Sequence, residues 1–278
     1  MKKYLMLVLS LLVIADLAIL TFGHRRPPKA VSGVATQATT PAPIVEKETI
    51  PQGIFYAPIL AYHHIALRRP QNSYYVSPEI FDLQLKWLKD NGYHIISFDT
   101  FYQAAIGQGA LPIKPAVLTF DDGNIDQYTN AFPILKKYGA TATFFIKINN
   151  ADKRKGGMSF EILKELIEAG NIIGSHSVNH KNMAKMTDSQ LKYELEESKR
   201  ILEENLNIKI KYFCYPGGAY SKKTIKAVKK AGYLAAVTTK HKVYQEIKDE
   251  DSLYTLPRVH IDDEMSTFTQ WVQGINLY

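Results

Sequence analysis

From residue 58 onward, apolar runs of strand length alternate with longer segments whose apolar residues recur at helical spacing. The pattern predicts strands at Pro58–His64, Tyr93–Phe98, Ala116–Phe120, Ala140–Ile146, Asn171–Ser175, Tyr212–Tyr215, Tyr233–Thr238 and Tyr254–Ile261. It predicts helices that begin after Ser77, Thr100 and Thr187, and others at Gln127–Tyr138, Phe160–Ala169 and Lys222–Ala231. This alternation predicts an α/β fold, a distorted parallel (β/α) barrel of seven or eight strands.

Capping residues support three of the predicted helix starts. Ser77 offers an N-cap and is followed by proline, which fits the first helical position. Thr100 with Gln103, and Thr187 with Gln190, have the spacing of a capping box.

The N-terminal residues have a different pattern. Lys2 and Lys3 precede the apolar segment Tyr4–Phe22, which is typical of a signal peptide or an uncleaved membrane anchor, and we favour export with an anchor. Residues 23–57 are rich in Pro, Ala and Thr without apolar periodicity, which predicts a flexible linker. The predicted organisation is a signal peptide or anchor at 1–22, a linker at 23–57 and a globular domain at 58–278.

Composition narrows the class of protein. Apolar residues make up 46% of the chain, which is ample for a core, and the single cysteine, Cys214, excludes an intrachain disulfide framework. The net charge of +7 is spread too thinly for a nucleic-acid-binding surface. Solvated lysines explain this charge best, with an anionic cell wall as an alternative neighbour. No protein partner is inferred.

Two segments suggest chemistry. Asp121 and Asp122 end a predicted strand, and His176 and His180 follow another. The C-terminal ends of parallel strands form the functional face of an α/β barrel, so these side chains are expected to meet. Carboxylate and imidazole suit a divalent cation such as zinc, with cobalt, manganese or nickel as alternatives. Asp-Asp-Gly alone is most often a turn, and only the combination of the two segments predicts a metal site.

Thr119-Phe120-Asp121-Asp122-Gly123 and His176-Ser177-Val178-Asn179-His180 resemble the first two motifs of the polysaccharide deacetylase family, the NodB-homology or carbohydrate esterase 4 group. Tyr215-Pro216-Gly217-Gly218 resembles its third motif, and residues 58–64 are similar to the branch that acts on poly-N-acetylglucosamine. The resemblance covers about residues 57–261. It implies a metal-dependent hydrolase that removes acetyl groups from a sugar polymer.

By this resemblance, Asp122, His176 and His180 hold the metal, and Asp121 takes a proton from the attacking water. The metal and the backbone N–H of Gly217 would stabilise the oxyanion. The predicted substrate-binding residues are Tyr215, Pro216, Gly217, His63 and His64.

The chain departs from the family pattern at several positions. Cys214 stands where the family has an arginine that tethers the base, and Gly217 stands where an aromatic residue is usual. Arg258 occupies the place of a final histidine, so we expect it to orient Asp121 or to contact substrate. His260, two residues on, is either a proton donor or an ordinary strand histidine. Either His63 or His64 competes for the donor role or contacts substrate, and we expect the other to face the core.

Several tyrosines are candidates for a surface on which a sugar ring stacks, against a background of seventeen tyrosines in the chain. The candidate set is Tyr74, Tyr75, Tyr215 and Tyr220.

The sequence therefore predicts an N-deacetylase of an N-acetylglucosamine polymer, peptidoglycan or poly-N-acetylglucosamine. We expect it at the extracellular face of the membrane or secreted and associated with the cell wall. The alternatives are an O-acetyl esterase on wall polysaccharide and a catalytically weak surface carbohydrate-binding protein. The expected partners are the polysaccharide and, through the N-terminal segment, a membrane.

Overall fold

The computed structural model describes residues 52–67, 72–151 and 156–274. The strands, in chain order, are β1 Gly53–Phe55, β2 Ile59–Tyr62, β3 His64–Ile65, β4 Tyr75–Val76, β5 His94–Ile95, β6 Pro115–Asp122, β7 Thr143–Ile146, β8 Ile172–Ser175, β9 Tyr212–Cys214, β10 Ala235–Val237, β11 Gln245–Ile247 and β12 Val259–His260. Most of the main-sheet strands are three or four residues long, which is enough to cross a small barrel.

Helices cover the outside of the sheet. The α-helices are α1 Pro78–Asp90, α2 Phe98–Ala105, α3 Phe132–Tyr138, α4 Phe160–Glu168, α5 Asp188–Lys192, α6 Ser198–Leu206, α7 Lys222–Lys230 and α8 Met265–Val272. Two π-helical turns, Gln127–Ala131 and Tyr193–Glu197, lead into α3 and α6. Short 3₁₀ turns lie at Met183–Lys185, Pro216–Gly218 and Glu250–Tyr254.

The main sheet is parallel and curled. Its order is β10-β9-β8-β7-β6-β2-β12, and β5 pairs with the first residues of β6. Val237 of β10 also bridges in parallel to Leu256, three residues before β12 begins, so the chain leading into β12 closes the gap between the two edges. The result is the distorted (β/α) barrel of seven or eight strands that the alternation predicted.

One row of aromatic residues shows which face of the central strands packs against the helices. Tyr62, Phe120 and Phe144 are register neighbours on three adjacent strands, and their rings stack with centroids 5.3 and 5.0 Å apart. They pack with Phe81 of α1 in the hydrophobic core. Because side chains alternate along a strand, Asp121 lies on the opposite face, toward the barrel interior.

Several element boundaries differ from the predictions. The predicted strand Tyr93–Phe98 is two residues long, and Phe98 already belongs to α2. Ser97 is the N-cap of α2 and accepts a hydrogen bond from the Thr100 N–H, so a helix start after Thr100 was wrong. In contrast, Thr187 and Gln190 form the predicted capping box.

The N-terminal predictions fall largely outside the described residues. The signal peptide or anchor at 1–22 and most of the linker at 23–57 belong to the part that the structure does not describe. Residues 53–55, which we expected in the linker, form β1 and pair antiparallel with β11. None of the helices within the described ranges has the length and apolarity that crossing a membrane requires.

Candidate active site

The end of β6 supplies two neighbouring carboxylates. Asp121 is buried and faces the barrel interior. Simple alternation would send Asp122 to the opposite face, but its φ of 76° ends the extended geometry there. Both carboxylates therefore line one cavity of about 550 Å³.

Arg258 is buried and donates a hydrogen bond to each oxygen of the Asp121 carboxylate. Nη1 and Nη2 donate to Oδ1 and Oδ2 at 2.8 and 2.6 Å. The three remaining N–H groups of Arg258 donate hydrogen bonds to the Thr238 carbonyl, the Thr119 hydroxyl and Cys214 Sγ, so all five N–H groups have a partner. Burial by itself raises the pKa of Asp121, but the guanidinium more than offsets it and holds that pKa well below its usual range. Asp121 is therefore ionised.

Two histidines follow β8 in a loop of irregular backbone. Ser177 and His180 have positive φ values of 66° and 55°, which curl the loop so that both rings converge. The Glu194 carboxylate holds this loop, because Oε2 accepts from the backbone N–H groups of Val178 and Asn179 at 2.9 and 2.8 Å. Glu194 is buried in the π-helical turn that precedes α6.

The first histidine has a fixed tautomer. Its Nδ1 lies 2.7 Å from the Cys214 carbonyl oxygen and therefore donates a hydrogen there. Burial lowers the pKa of His176, so the ring is neutral and Nε2 retains its lone pair. A metal ligand needs this state of the ring.

Asp122, His176 and His180 can hold a metal ion. Each offers one ligand atom, and the three atoms lie within 4.8 Å of one another. The two Nε2 atoms are 3.0 Å apart, and His180 Nε2 is 3.6 Å from Asp122 Oδ1. Bonds of about 2.0–2.2 Å to a shared cation suit this spacing, and Asp122 Oδ1 is buried without a hydrogen-bond partner among the described residues. The residues fit a divalent cation.

A second grouping, Asp121 with His176 and Cys214, has similar spacing but different chemistry. Arg258 already occupies both Asp121 oxygens and contacts Cys214 Sγ at 3.1 Å. Burial raises the pKa of the Cys214 thiol well above its usual value, so it is not a thiolate. This grouping does not fit a cation.

Two histidines and a tyrosine also line the cavity. His63 Nε2 lies 3.8 Å from Asp121 Oδ2, and burial lowers the pKa of His63 to about 4. His260 packs edge-on against His63 and Tyr74, and its Nε2 lies 3.0 Å from the Ser73 carbonyl.

His64 lines the same cavity as His63. Its Nδ1 lies 2.7 Å from Asp126, and its ring stacks on Tyr75. The expectation that one of these two histidines faces the core was wrong, because both strand-end residues border the cavity.

The turn after β9 completes the rim. Gly217 has a φ of 58°, and Tyr215 and Gly217 border the cavity while Pro216 is buried beneath them. Of the four tyrosines considered for sugar stacking, Tyr74 is half exposed at the rim and Tyr75 also lines the cavity. Tyr215 is fully buried and packs against Tyr220.

Comparison with known proteins decides the family. The sequence model of the family described as polysaccharide deacetylase matches residues 108–236. YxkH of Bacillus subtilis, which is named for the same family, is 34% identical over 210 residues, covering 75% of this chain and 72% of the relative. The chain belongs to the polysaccharide deacetylase family. It is a deacetylase-type hydrolase with the family's fold.

Two further proteins are similar to this deacetylase over most of its length. Streptococcus pyogenes deacetylase PplD, solved in complex with acetate, is 30% identical with a TM-score of 0.73, covering 80% of this chain and 99% of that chain. The poly-beta-1,6-N-acetyl-D-glucosamine N-deacetylase of Staphylococcus aureus strain MRSA252 is 24% identical over 281 residues, covering 95% of this chain and 93% of the relative.

Sequence reasoning missed several neighbours of the deacetylase site. Lys147 Nζ lies 3.5 Å from Asp122 Oδ1, and Asp126, Gln127 and Glu194 support the site through hydrogen bonds. No local pattern distinguishes these residues from other polar residues. Each becomes significant only through contacts with distant parts of the chain.

Proposed function

We propose that this deacetylase is a metal-dependent hydrolase that removes N-acetyl groups from N-acetylglucosamine residues of an extracellular polysaccharide. The observation that carries the proposal is that an ionised carboxylate and a group of residues able to hold a cation lie in one cavity. Asp121, ionised by Arg258, lies beside a group of one carboxylate and two imidazoles that fits a cation. A binding protein has no need of an ionised carboxylate beside the cation but outside its ligand set.

The first role, that of Asp121, is to accept a proton from the attacking water. When a divalent cation, in our proposal zinc, is bound by Asp122, His176 and His180, it supplies Lewis acidity and lowers the pKa of water. Asp121 accepts a proton as water adds to the acetamide carbonyl carbon. Its carboxylate is suited to this step because Arg258 fixes its orientation and the cation's ligand set does not include it.

The second role is proton delivery to the leaving nitrogen. We assign it to His63, since Nε2 is 3.8 Å from Asp121 and the neutral ring can take up the proton that Asp121 has accepted. The carbon–nitrogen bond then breaks, the nitrogen takes the proton, and acetate leaves a free amine on the sugar. His260 is less suited, because its Nε2–H is donated to the Ser73 carbonyl.

The proposed substrate is an N-acetylglucosamine polymer, either poly-N-acetylglucosamine or peptidoglycan. A relative named for poly-beta-1,6-N-acetyl-D-glucosamine that matches over most of its own length supports this choice. Tyr74 at the rim and the Gly217 backbone N–H are the proposed contacts to the sugar and to the oxyanion. The apolar segment Tyr4–Phe22 supports a place outside the cell, where such polymers are found.

The test is acetate release from N-acetylated glucosamine oligomers, from wall fragments and from O-acetylated xylan, each with zinc and with chelator. We expect mass loss of one acetyl group per reacting sugar, from N-acetylated substrates, abolished by chelator and restored by zinc. Release from esters alone would replace the proposal with an O-acetyl esterase. Undiminished release after complete metal removal would overturn the metal dependence.

A further inference from the structure

Gln127 joins two strand ends of the site through one amide nitrogen. Its Nε2 lies 2.6 Å from the carbonyl oxygen of His63 and 2.5 Å from that of Asp121. The side chain is fully buried. Because both neighbours are acceptors, each takes one of the two amide hydrogens, and no other part of Gln127 could satisfy them.

The Gln127 side-chain amide links β2 and β6 one residue beyond their last backbone pair. The pairing of β2 with β6 stops at Tyr62 and Phe120, and the next residue on each strand is His63 or Asp121. Gln127 therefore bridges the pair of residues that would form the next rung. It is the first residue of a π-helical turn, a wide turn that is frequent at functional sites.

We infer that Gln127 is a positioning residue that sets the spacing between the His63 ring and the Asp121 carboxylate. The inference rests on the proposed function, in which these two groups exchange a proton across 3.8 Å. Gln127 does not border the substrate cavity, so it acts only through the two residues it holds. Small displacements of proton-transfer partners have large effects on rate.

The test compares Gln127→Met with Gln245→Met. Gln245 is also fully buried and also directs one Nε2 at two carbonyl oxygens, those of Ala57 and Pro257, at 3.4 and 3.1 Å. Those contacts lie at the opposite, N-terminal ends of β2 and β12. We expect Gln127→Met to lower kcat at least about tenfold, with KM and zinc affinity within about twofold of wild type. Gln245→Met should retain kcat.

Gln127→Glu keeps the volume but offers at most one hydrogen to two carbonyls, so it should also lower kcat. A readout that needs no substrate is the ring ¹H–¹⁵N NMR spectrum of His63 in the zinc-loaded protein, which should shift in both Gln127 variants and not in Gln245→Met. An unchanged His63 spectrum, or a kcat loss equal to that of Gln245→Met, overturns the inference. Absence of acetate release by the wild type would instead refute the proposed function.

Discussion

Arg258, the residue directly before β12, forms a buried ion pair with Asp121 of β6, with both guanidinium Nη atoms donating to the carboxylate. Cys214, which occupies the place of the family's tethering arginine, contacts the same guanidinium. The positive charge beside the proposed base thus comes from a different segment of the chain, the one that leads into β12. The short Cys214 side chain leaves room for it.

Removing this guanidinium should affect both activity and stability. Arg258→Met leaves a buried carboxylate unpaired, so we expect turnover to fall by about a hundredfold or more and the free energy of unfolding to fall by roughly 3–5 kcal/mol. The measurements are acetate release and urea unfolding. Arg200→Met is the control, since Arg200 is half exposed in pairs with Glu197 and Glu204 and should change stability by less than about 1 kcal/mol. Wild-type turnover in Arg258→Met would exclude a role in holding the base.

The two neighbouring carboxylates should have separable roles. Asp122→Asn removes a proposed ligand and should abolish zinc retention on dialysis, measured by elemental analysis. Asp121→Asn should retain zinc and lose about 10²–10⁴-fold in turnover, the usual contribution of a general base. Equal zinc loss in both variants would show that Asp121 is itself a ligand.

Glu194 should contribute to metal affinity without touching the ion. Glu194→Gln replaces one accepting oxygen with a donor that faces the Asn179 side-chain amide, so the histidine loop loosens. We expect about 10–100-fold weaker zinc binding by chelator competition. Glu196→Gln, which changes a nearly half-exposed carboxylate two residues on, is the matched control. Unaltered affinity in Glu194→Gln would mean that the loop holds its shape without this clamp.

Proton delivery should depend on one histidine more than the other. We expect His63→Gln to lower turnover on N-acetylated oligomers at least about tenfold and His260→Gln to lower it less. Leaving-group proton transfer is the step affected, so the comparison is made at saturating substrate. The reverse order would assign the donor role to His260.

The lowered pKa of His63 also predicts how the free energy of unfolding changes with pH. Its folded-state pKa of about 4 lies below the ordinary value near 6.5, so the unfolded chain binds the proton more readily. Stability from this group is present above pH 6.5 and is lost as pH falls toward 4, by up to roughly 3 kcal/mol. Unfolding of metal-free protein at pH 7.5 and 4.5 should show this loss. His63→Gln should reduce it, leaving the part due to His176, His241 and His260, whose pKa values burial lowers in the same direction. An unchanged pH dependence in His63→Gln would contradict this assignment.

The sequence determined the barrel because the periods of strands and helices are local properties of the chain. Apolar runs located six of the seven main-sheet strands to within a few residues. They overextended the last, where a 3₁₀ turn and an irregular segment precede the two residues of β12. Since strand ends of a parallel barrel meet at one face, the same pattern predicted that Asp121, Asp122, His176 and His180 would come together, as they do.

Tertiary structure alone decided how those residues are held. Arg258 lies 137 positions from Asp121 in the chain, and nothing local distinguishes a guanidinium that points at the base from one that contacts substrate. The same holds for Gln127 and Glu194, whose side chains act on backbone groups of other segments. Sequence periodicity specifies which face of an element is buried. The direction of a polar side chain on that face depends on which distant donors and acceptors the packed barrel brings within about 3 Å of it.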